Sequence, residues 1–474
     1  MYEYKLINLN DLRGYSDDDI KKYLRYNGVR KFDECDIASL KIIIEKLETT
    51  CLPDFNVSYI VDRLDKEFDL VKLDESRIIN IELKSSHRDV TQCIENYKLL
   101  KNEYDNREIT VYCYESDNDH IYMLDHKDRK FIKTSFKELN DELSKISSGI
   151  KLNININVDS VYINPDFFLE KKYNLSSSQR LMKSQIIQSN KKINVIGGRA
   201  GCGKSLLALD MYDYYLNVEN KKVQYLTPFK LNDVINIKLR KQIDMKTVKD
   251  FISKDEDVDI IIVDEAQRLK PADILVLPEK AKEKIVLIGD INQNIDFESG
   301  FESLYNDRAN NFVQNMKQLI RTDDTFEIFA RKILNISDKG FKHKKINKNK
   351  IRILMYGEEI PDLSDYVFIE PSKSLYFRDC TNTCPNKKCL TISGKCKNTK
   401  EPHTVISSEY KNVIMFFCNG YDIKDDNIVK VSDLCTGKLS SQIYAIITRA
   451  IDNLIIVTDN IVLYNYLMGK LEEM

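Results

Sequence analysis

The residues whose types and spacing point most directly to chemistry are Gly198, Gly201, Gly203, Lys204 and Ser205. They stand in the stretch Gly197-Gly198-Arg199-Ala200-Gly201-Cys202-Gly203-Lys204-Ser205, which follows the apolar run Ile193 to Ile196 and leads straight into Leu206-Leu207-Ala208-Leu209. The order is strand, glycine loop, helix. The spacing G-x4-G-K-S/T suits the binding of a polyphosphate, in which backbone N–H groups cradle phosphates, the lysine neutralises the terminal ones, and the hydroxyl ligates Mg²⁺. Glycines are needed there because a Cβ would block the approach of backbone to phosphate. A glycine-rich turn alone can be an ordinary strand-to-helix connection, but the lysine, the hydroxyl and both flanks together select the phosphate-binding reading. A second apolar run, Asp259 to Val263, has the composition of a buried parallel strand and ends in Asp264-Glu265-Ala266-Gln267. There Asp264 can bind magnesium beside Ser205, and Glu265 can polarise an attacking water.

A different constellation lies near the start of the chain. Glu67 to Leu73 alternates like a half-buried strand, Asp74-Glu75-Ser76 reads as a turn, and Ile78 to Lys84 alternates again. Strand alternation puts Glu82 and Lys84 on one face and Ile81 and Leu83 on the other, and Asp69 can reach the first face from the neighbouring strand. Two carboxylates beside a lysine can hold Mg²⁺ or Mn²⁺ and place a hydroxide in line with a phosphodiester. Two carboxylates on a solvated sheet face would look similar, and a chain with 31% charged residues produces E-x-K by chance, as at Glu170-Lys171-Lys172. A third cluster, Cys380, Cys384, Cys389 and Cys396, is spaced C-x3-C-x4-C-x6-C. Four thiolates can close a tetrahedral Zn²⁺ site, but the spacing departs from paired C-x2-C, so unliganded loop cysteines remain the alternative.

The elements that must position these groups follow from periodicity. Asp17 to Glu48 is helical in pattern, with Ile42, Ile43, Ile44 and Leu47 on an apolar face. After the hairpin come a helix from about Val90 to Tyr104 and a strand from Glu108 to Tyr114. Residues 137–172 are polar, with one short helix. Beyond them, strands are expected at Ile193–Ile196, Val223–Thr227, Asp259–Val263 and Ile285–Ile288. At 474 residues the chain is long enough for two to four domains, and a net charge of −2 confines any nucleic-acid surface to local basic patches such as Lys339 to Lys350. No apolar run approaches the ~20 residues of a membrane span, and Met1-Tyr2-Glu3-Tyr4-Lys5 lacks the build of a secretory signal. Eleven cysteines then point to reduced thiols or a metal site, and a cytoplasmic location is expected.

From Leu175 to Asn460 the chain resembles the superfamily 1 helicases. On that resemblance Gln179, at the right distance before the glycine loop, binds adenine. Thr227-Pro228 matches the motif that holds the nucleic-acid backbone, although Pro228 as strand punctuation is an equal reading. Gln293, in Gly289-Asp290-Ile291-Asn292-Gln293, senses the γ-phosphate. Arg321, in Gln318-Leu319-Ile320-Arg321, and Arg449, in Tyr444-Ala445-Ile446-Ile447-Thr448-Arg449-Ala450, are the arginines brought from a second lobe. Glu409-Tyr410 matches the Glu-aromatic pair of a further motif, whose usual Lys-Gly is replaced by Ile406-Ser407. Only about thirty residues separate Thr227-Pro228 from the strand before Asp264, so the motor is expected to consist of two core lobes without an inserted domain that could act as a wedge.

The first segment resembles the PD-(D/E)xK nucleases, with Phe68 in place of the proline before Asp69. The resemblance makes Asp69 and Glu82 metal ligands and Lys84 the residue that orients the water, with Glu45 a weaker candidate. Gln92 and Tyr97 are five residues apart where related nucleases space Gln and Tyr by four, so the pair is not counted. The expected fold is therefore α/β: a restriction-endonuclease-like domain in 1–150, a linker in 151–172, and two RecA-like P-loop lobes in 173–315 and 316–474, the second with a Cys-rich insertion near 380–396. The expected activity is an ATP-dependent nuclease-helicase acting on DNA or RNA, in DNA repair or phage defence. The alternative is an ATP-gated nucleic-acid clamp whose first domain is a degenerate nuclease fold used for binding or assembly.

Overall fold

The computed structural model describes every residue except 1–3, 31, 33, 62–63, 65, 86–88, 155–164, 229–238, 240–241, 255, 295–299, 318–323, 338–345, 370–391, 401–404, 406–408, 418–419 and 431–437. The chain divides into two compact units, Met1–Asn157 with Lys172–Ser177, and Val158–Lys171 with Ser178–Met474. Among the described residues no helix is long and apolar enough to cross a membrane.

In the first unit, helices α1 (Asp17–Tyr26) and α2 (Glu34–Lys46) precede the strands β1 (Asn56–Val61), β2 (Lys66–Leu73) and β3 (Arg77–Lys84). Helix α3 (Val90–Glu103) then leads to β4 (Glu108–Glu115), β5 (His120–Asp125), β6 (Lys130–Thr134) and helix α4 (Phe136–Ser144). The six strands lie in chain order in one sheet. All neighbours are antiparallel except β3 and β4, which the α3 crossover makes parallel. The β2–β3 hairpin forms where the alternation places it, and its turn is closed by the Asp74 carboxylate, which accepts the N–H groups of Ser76 and Arg77 at 2.8 Å each.

The single helical pattern expected over Asp17–Glu48 is two helices. Asn27 ends α1 and Gly28 follows at φ +85°, left-handed backbone that a helix cannot continue through. The sequence pattern does not mark β1, β5 or β6: β5 and β6 have partly exposed faces, and β1 carries Ser58 at φ +47° within it. Ile79, Ile81 and Leu83 of β3 pack with Ile37, Leu40, Ile43 and Ile44 of α2, so that face is apolar. The opposite face carries Glu82 and Lys84 toward α3, whose Cys93 and Ile94 pack on Val111 and Cys113 of β4.

The second unit holds two parallel sheets. The first is built from β7 (Ile193–Gly198), β8 (Val223–Thr227), β9 (Met245–Thr247), β10 (Val258–Val263), β11 (Ala281–Gly289) and β12 (Phe312–Met316), in the order β12-β7-β11-β10-β8-β9. Its helices are α5 (Pro165–Leu169), α6 (Ser177–Gln188), α7 (Lys204–Asn217), α8 (Val248–Ile252), α9 (Pro271–Lys280) and α10 (Gly300–Asn306). The second comprises β13 (Ile351–Met355), β14 (Tyr366–Ile369), β15 (Asn398–Lys400), β16 (Tyr410–Phe417) and β19 (Ala450–Thr458), ordered β13-β19-β16-β14-β15, with β17 (Tyr421–Lys424) and β18 (Asn427–Lys430) forming a separate hairpin. Helices α11 (Thr325–Ile333), α12 (Leu439–Ile447) and α13 (Ile461–Glu472) accompany it. The strands read as unbroken apolar runs because parallel strands are covered on both faces.

Residues 149–154, which include the first four positions of the expected linker, are strapped to the first unit. Asn56, fully buried, donates through Nδ2 to the carbonyls of Val71 (3.3 Å) and Ile150 (3.0 Å) and accepts the Leu152 N–H at 2.8 Å. The Tyr104 hydroxyl adds bonds to the backbone of Asn153. Asn56→Ala leaves three buried backbone groups without this partner, and should lower the unfolding free energy of the first unit by about 1–3 kcal/mol. Urea unfolding of the variant and of wild type, followed by proteolysis within 149–154, checks both the energy and the location.

Candidate functional site

The register of the first parallel sheet in the second unit assembles the site. Val263 of β10 pairs with Leu287 of β11, and Leu287 pairs with Val195 of β7, so these three share one level. β10 stops at that level, while β11 runs two residues further to Gly289 and β7 three further to Gly198, so that Asp264, Asp290 and the glycine loop emerge along one edge. Ligands of parallel α/β sheets bind outside this carboxyl edge.

At the end of β7 the glycine loop turns into α7. A Cβ on Gly198 would lie 2.8 Å from Cys202 Sγ and 3.0 Å from Met316 Cβ, so only glycine fits. Gly203 caps α7 at φ +82°, which a side chain would strain. Lys204, 7% exposed, donates to the carbonyls of Gly198 (3.0 Å) and Arg199 (2.7 Å), and Ser205 is buried in the first turn of α7. Gln179 lies inside the first turn of α6, and its amide donates to the carbonyls of Cys202 and Gly203 at 3.3 Å each. It therefore touches the backbone of the loop itself. A backbone cradle, a lysine and a helix N-terminus fit a polyphosphate.

The acidic side of the edge is a chain of hydrogen bonds. Asp264, fully buried, accepts the Tyr225 hydroxyl at 3.1 Å and the Glu265 N–H at 2.9 Å. Glu265 is in left-handed backbone at φ +57°, a strained conformation of the kind that functional sites retain. Gln267 Nε2 donates to the Glu265 carboxylate at 2.7 Å, and Gln267 Oε1 accepts the Asp290 N–H at 3.2 Å. Gln293 Nε2 in turn donates to Asp290 Oδ2 at 3.0 Å. Gln267, with no role readable from the sequence beyond its place two residues after Glu265, thus links Glu265 to Asp290 and Gln293. Burial pushes the Asp290 carboxyl up to about 6, against the pull of Lys204 and with the help of the Glu327 charge.

The second sheet brings α11 to the same place. Gly197, Gly198, Arg199, Asp290 and Arg331 line a cavity of about 250 Å³. Arg331 Nε donates to Glu327 Oε1 at 2.8 Å and Nη1 to the Ser337 carbonyl at 2.9 Å, while the Tyr444 hydroxyl lies 2.7 and 2.6 Å from the two Glu327 oxygens. All three side chains are buried. Glu and Arg four apart on a helix read as a surface pair, so nothing local marked them. Arg449, 5% exposed, sits between α12 and β19, and its carbonyl accepts the Tyr410 N–H at 2.9 Å. Arg321 lies outside the described residues, as do Cys380, Cys384 and Cys389. Cys396 donates to the Ile392 carbonyl, and burial pushes its thiol up to about 11.

In the first unit, β2–β3 pairing ends at Leu70 and Ile81, and the Asp69 carboxylate takes over by accepting the Leu83 N–H at 2.7 Å. Glu82 is fully buried and accepts Asn80 Nδ2 (2.9 Å), Asn96 Nδ2 (2.9 Å) and Gln92 Nε2 (3.1 Å). Burial and the Glu82 charge raise the Asp69 carboxyl well above the usual carboxylate range. Burial also raises Glu82, against the pull of Lys84. Although burial pulls the Lys84 ammonium down, the charges of Asp69 and Glu82 hold it above its ordinary value. Asp69, Glu82 and Lys84 therefore act on one another electrostatically. Glu45 is exposed on α2, and the α2 carboxylate that bears on Asp69 is Asp36. Gln92 does reach the site, and its partner four residues on is Asn96. Tyr97 instead stacks on His126 at 4.2 Å. Among the described residues no three His, Cys, Asp or Glu side chains form a metal-sized group.

Residues 174–351 match the family described as AAA domain. No curated protein matches the sequence. Among solved structures, unliganded Pif1 from Bacteroides sp. is 8% identical over 64% of this chain and 96% of its own, with a TM-score of 0.36. The PRRSV helicase is 13% identical over 59% of this chain and 54% of its own, with a TM-score of 0.35. The arterivirus nonstructural protein 10 helicase in complex with DNA is 10% identical over 62% of this chain and 65% of its own, with a TM-score of 0.34. The chain spans about half the length of the PRRSV helicase.

The raised Asp290 carboxyl has a consequence for stability. With a folded value of about 6 against an ordinary 3.8, the folded protein holds this proton more tightly than the unfolded chain. That contribution is complete below pH 4 and is lost as pH rises through 6. Asp290→Asn removes the titration, so the nucleotide-free variant should gain up to about 3 kcal/mol over wild type at pH 8, the gap closing toward pH 4. Denaturant unfolding at intervals across that range measures it.

Proposed function

We propose that this protein is an ATP-dependent nuclease-helicase, with a superfamily 1 motor in the second unit and a metal-dependent phosphodiesterase in the first, acting on DNA. The observation that carries the motor reading is the continuous chain Glu265–Gln267–Asp290–Gln293 beside the glycine loop, because it ties the proposed water-activating group to the proposed phosphate sensor. In this reading Lys204 exchanges the Gly198 and Arg199 carbonyls for phosphate oxygens. Ser205 and Asp264 would hold Mg²⁺, which supplies charge neutralisation at the phosphates when bound. Glu265, aimed by Gln267, accepts the proton of the attacking water. Gln179 packs the adenine end, and Arg321 and Arg449 neutralise charge in the transition state.

The nuclease reading is supported by the mutual electrostatics of Asp69, Glu82 and Lys84 and by the amides that orient Glu82. Asp69 and Glu82 would hold Mg²⁺ or Mn²⁺, and Lys84 would position the attacking water. One observation favours a second reading, a first unit that binds nucleic acid without cutting it: Glu82 has no exposure and already accepts three amide donors.

Nucleic-acid-stimulated ATP hydrolysis should vanish in Lys204→Ala. In Glu265→Gln, nucleotide binding should persist while turnover falls by about 10²- to 10⁴-fold, the contribution of a general base. Wild-type turnover in either variant sinks the motor assignment. Lys84→Ala should abolish Mg²⁺- or Mn²⁺-dependent cleavage of an end-labelled DNA while ATP hydrolysis continues. No cleavage by wild type, with retained DNA binding, selects the second reading. If motor and nuclease share a strand, product lengths on a long duplex should change with ATP in wild type and not in Lys204→Ala.

A further inference from the structure

Of the cations around the 250 Å³ cavity, Arg331 comes from the second sheet's helix and belongs to none of the sequence patterns that point to nucleotide chemistry. We propose that Arg331 contacts the terminal phosphate of the bound nucleoside triphosphate, from the side opposite the glycine loop. This rests on the ATPase reading above.

Three observations converge on it. First, place: Arg331 shares the cavity lining with Gly197, Gly198 and Arg199 at the loop and with Asp290 at the end of β11. A group that bridges this lining touches both sheets of the unit. Second, orientation: the guanidinium is held by Glu327 through Nε and by the Ser337 carbonyl through Nη1, and Glu327 is itself held by the Tyr444 hydroxyl through both oxygens. A guanidinium held through Nε and Nη1 is fixed in orientation, and a fixed planar fork is the group that suits recognition of a phosphate. Third, energy: a buried ion pair is commonly no more stabilising than apolar residues of the same size, so an Arg–Glu pair at 7% and 3% exposure calls for a role beyond packing. Arg331 and Lys204 both favour the charged form of the buried Asp290 carboxyl, so the two cations bear on one group from the two sides of the cavity lining. Because Tyr444 lies in the same run as Arg449, α12 reaches the phosphate indirectly, through Glu327 and Arg331.

The test uses full-length protein, with affinities for a fluorescent non-hydrolysable ATP analogue and for the matching ADP analogue, alongside steady-state hydrolysis. Arg331→Ala should weaken the triphosphate by about 10- to 100-fold, the loss of a hydrogen bond between charged groups, and leave the diphosphate within about 2-fold of wild type. Its kcat should fall with it. Arg331→Lys, which keeps the charge and loses the fork, should recover part of the triphosphate preference. It also carries the test should the alanine variant fail to fold, because a residue needed only for packing would give a lysine variant with unchanged preference. Tyr444→Phe should lower the preference less than Arg331→Ala. Equal weakening of both nucleotides, or an undiminished triphosphate preference in a folded Arg331→Ala, overturns the assignment. Wild-type protein that neither binds nor hydrolyses ATP overturns the ATPase reading and this inference with it, whereas active wild type with an indifferent Arg331→Ala overturns the inference alone.

Discussion

Parallel pairing between β10, β11 and β7 is the interaction on which the candidate site of the second unit depends. Each strand is an apolar run followed at once by polar residues, so pairing Val263, Leu287 and Val195 at one level delivers Asp264, Asp290 and the glycine loop to one edge. A slip of one residue would turn each strand's side chains to the opposite face and scatter the three groups. Burial of Val195, Ile262, Val263 and Ile288 holds the three strands side by side, and the polar residue that follows each buried run falls where the cover ends.

Once the edge is set, the polar groups on it have little water to turn to and must satisfy one another. Gln267 uses both ends of its amide, donating to Glu265 and accepting from Asp290, and Gln293 completes the row. Such a network is rigid when complete and sensitive to the charge of its neighbours. Asp290 registers that sensitivity directly, since Lys204 on one side and Glu327 on the other pull its carboxyl in opposite directions. A change in the anion bound at the loop would shift that balance and be felt along the whole row.

The first unit solves a similar problem with different residues. A fully buried glutamate is tolerable only with donors around it, and Asn80, Gln92 and Asn96 provide three. Asp69 is anchored by a backbone N–H left over where the hairpin pairing stops. The site is thus built into the sheet rather than laid on its surface.

What the sequence determined by itself was local. The hairpin at residues 66–84, the strand-loop-helix around Lys204 and the apolar strands of the parallel sheet were legible because alternation, glycine spacing and unbroken apolar runs act over a few residues. Asp69, Glu82 and Lys84 could be grouped because two paired strands are a short-range object. The amide shell of Asn80 and Asn96, the substitution of Asp36 for Glu45 beside Asp69, and the chain from Tyr444 through Glu327 to Arg331 belong to the tertiary structure. Tyr444 and Glu327 are 117 positions apart, and Asn96 and Glu82 lie on a helix and a strand that meet only after the crossover packs. Residue type and spacing report what a side chain can do. Which buried charge it must satisfy is decided only when distant elements exclude water from the same place.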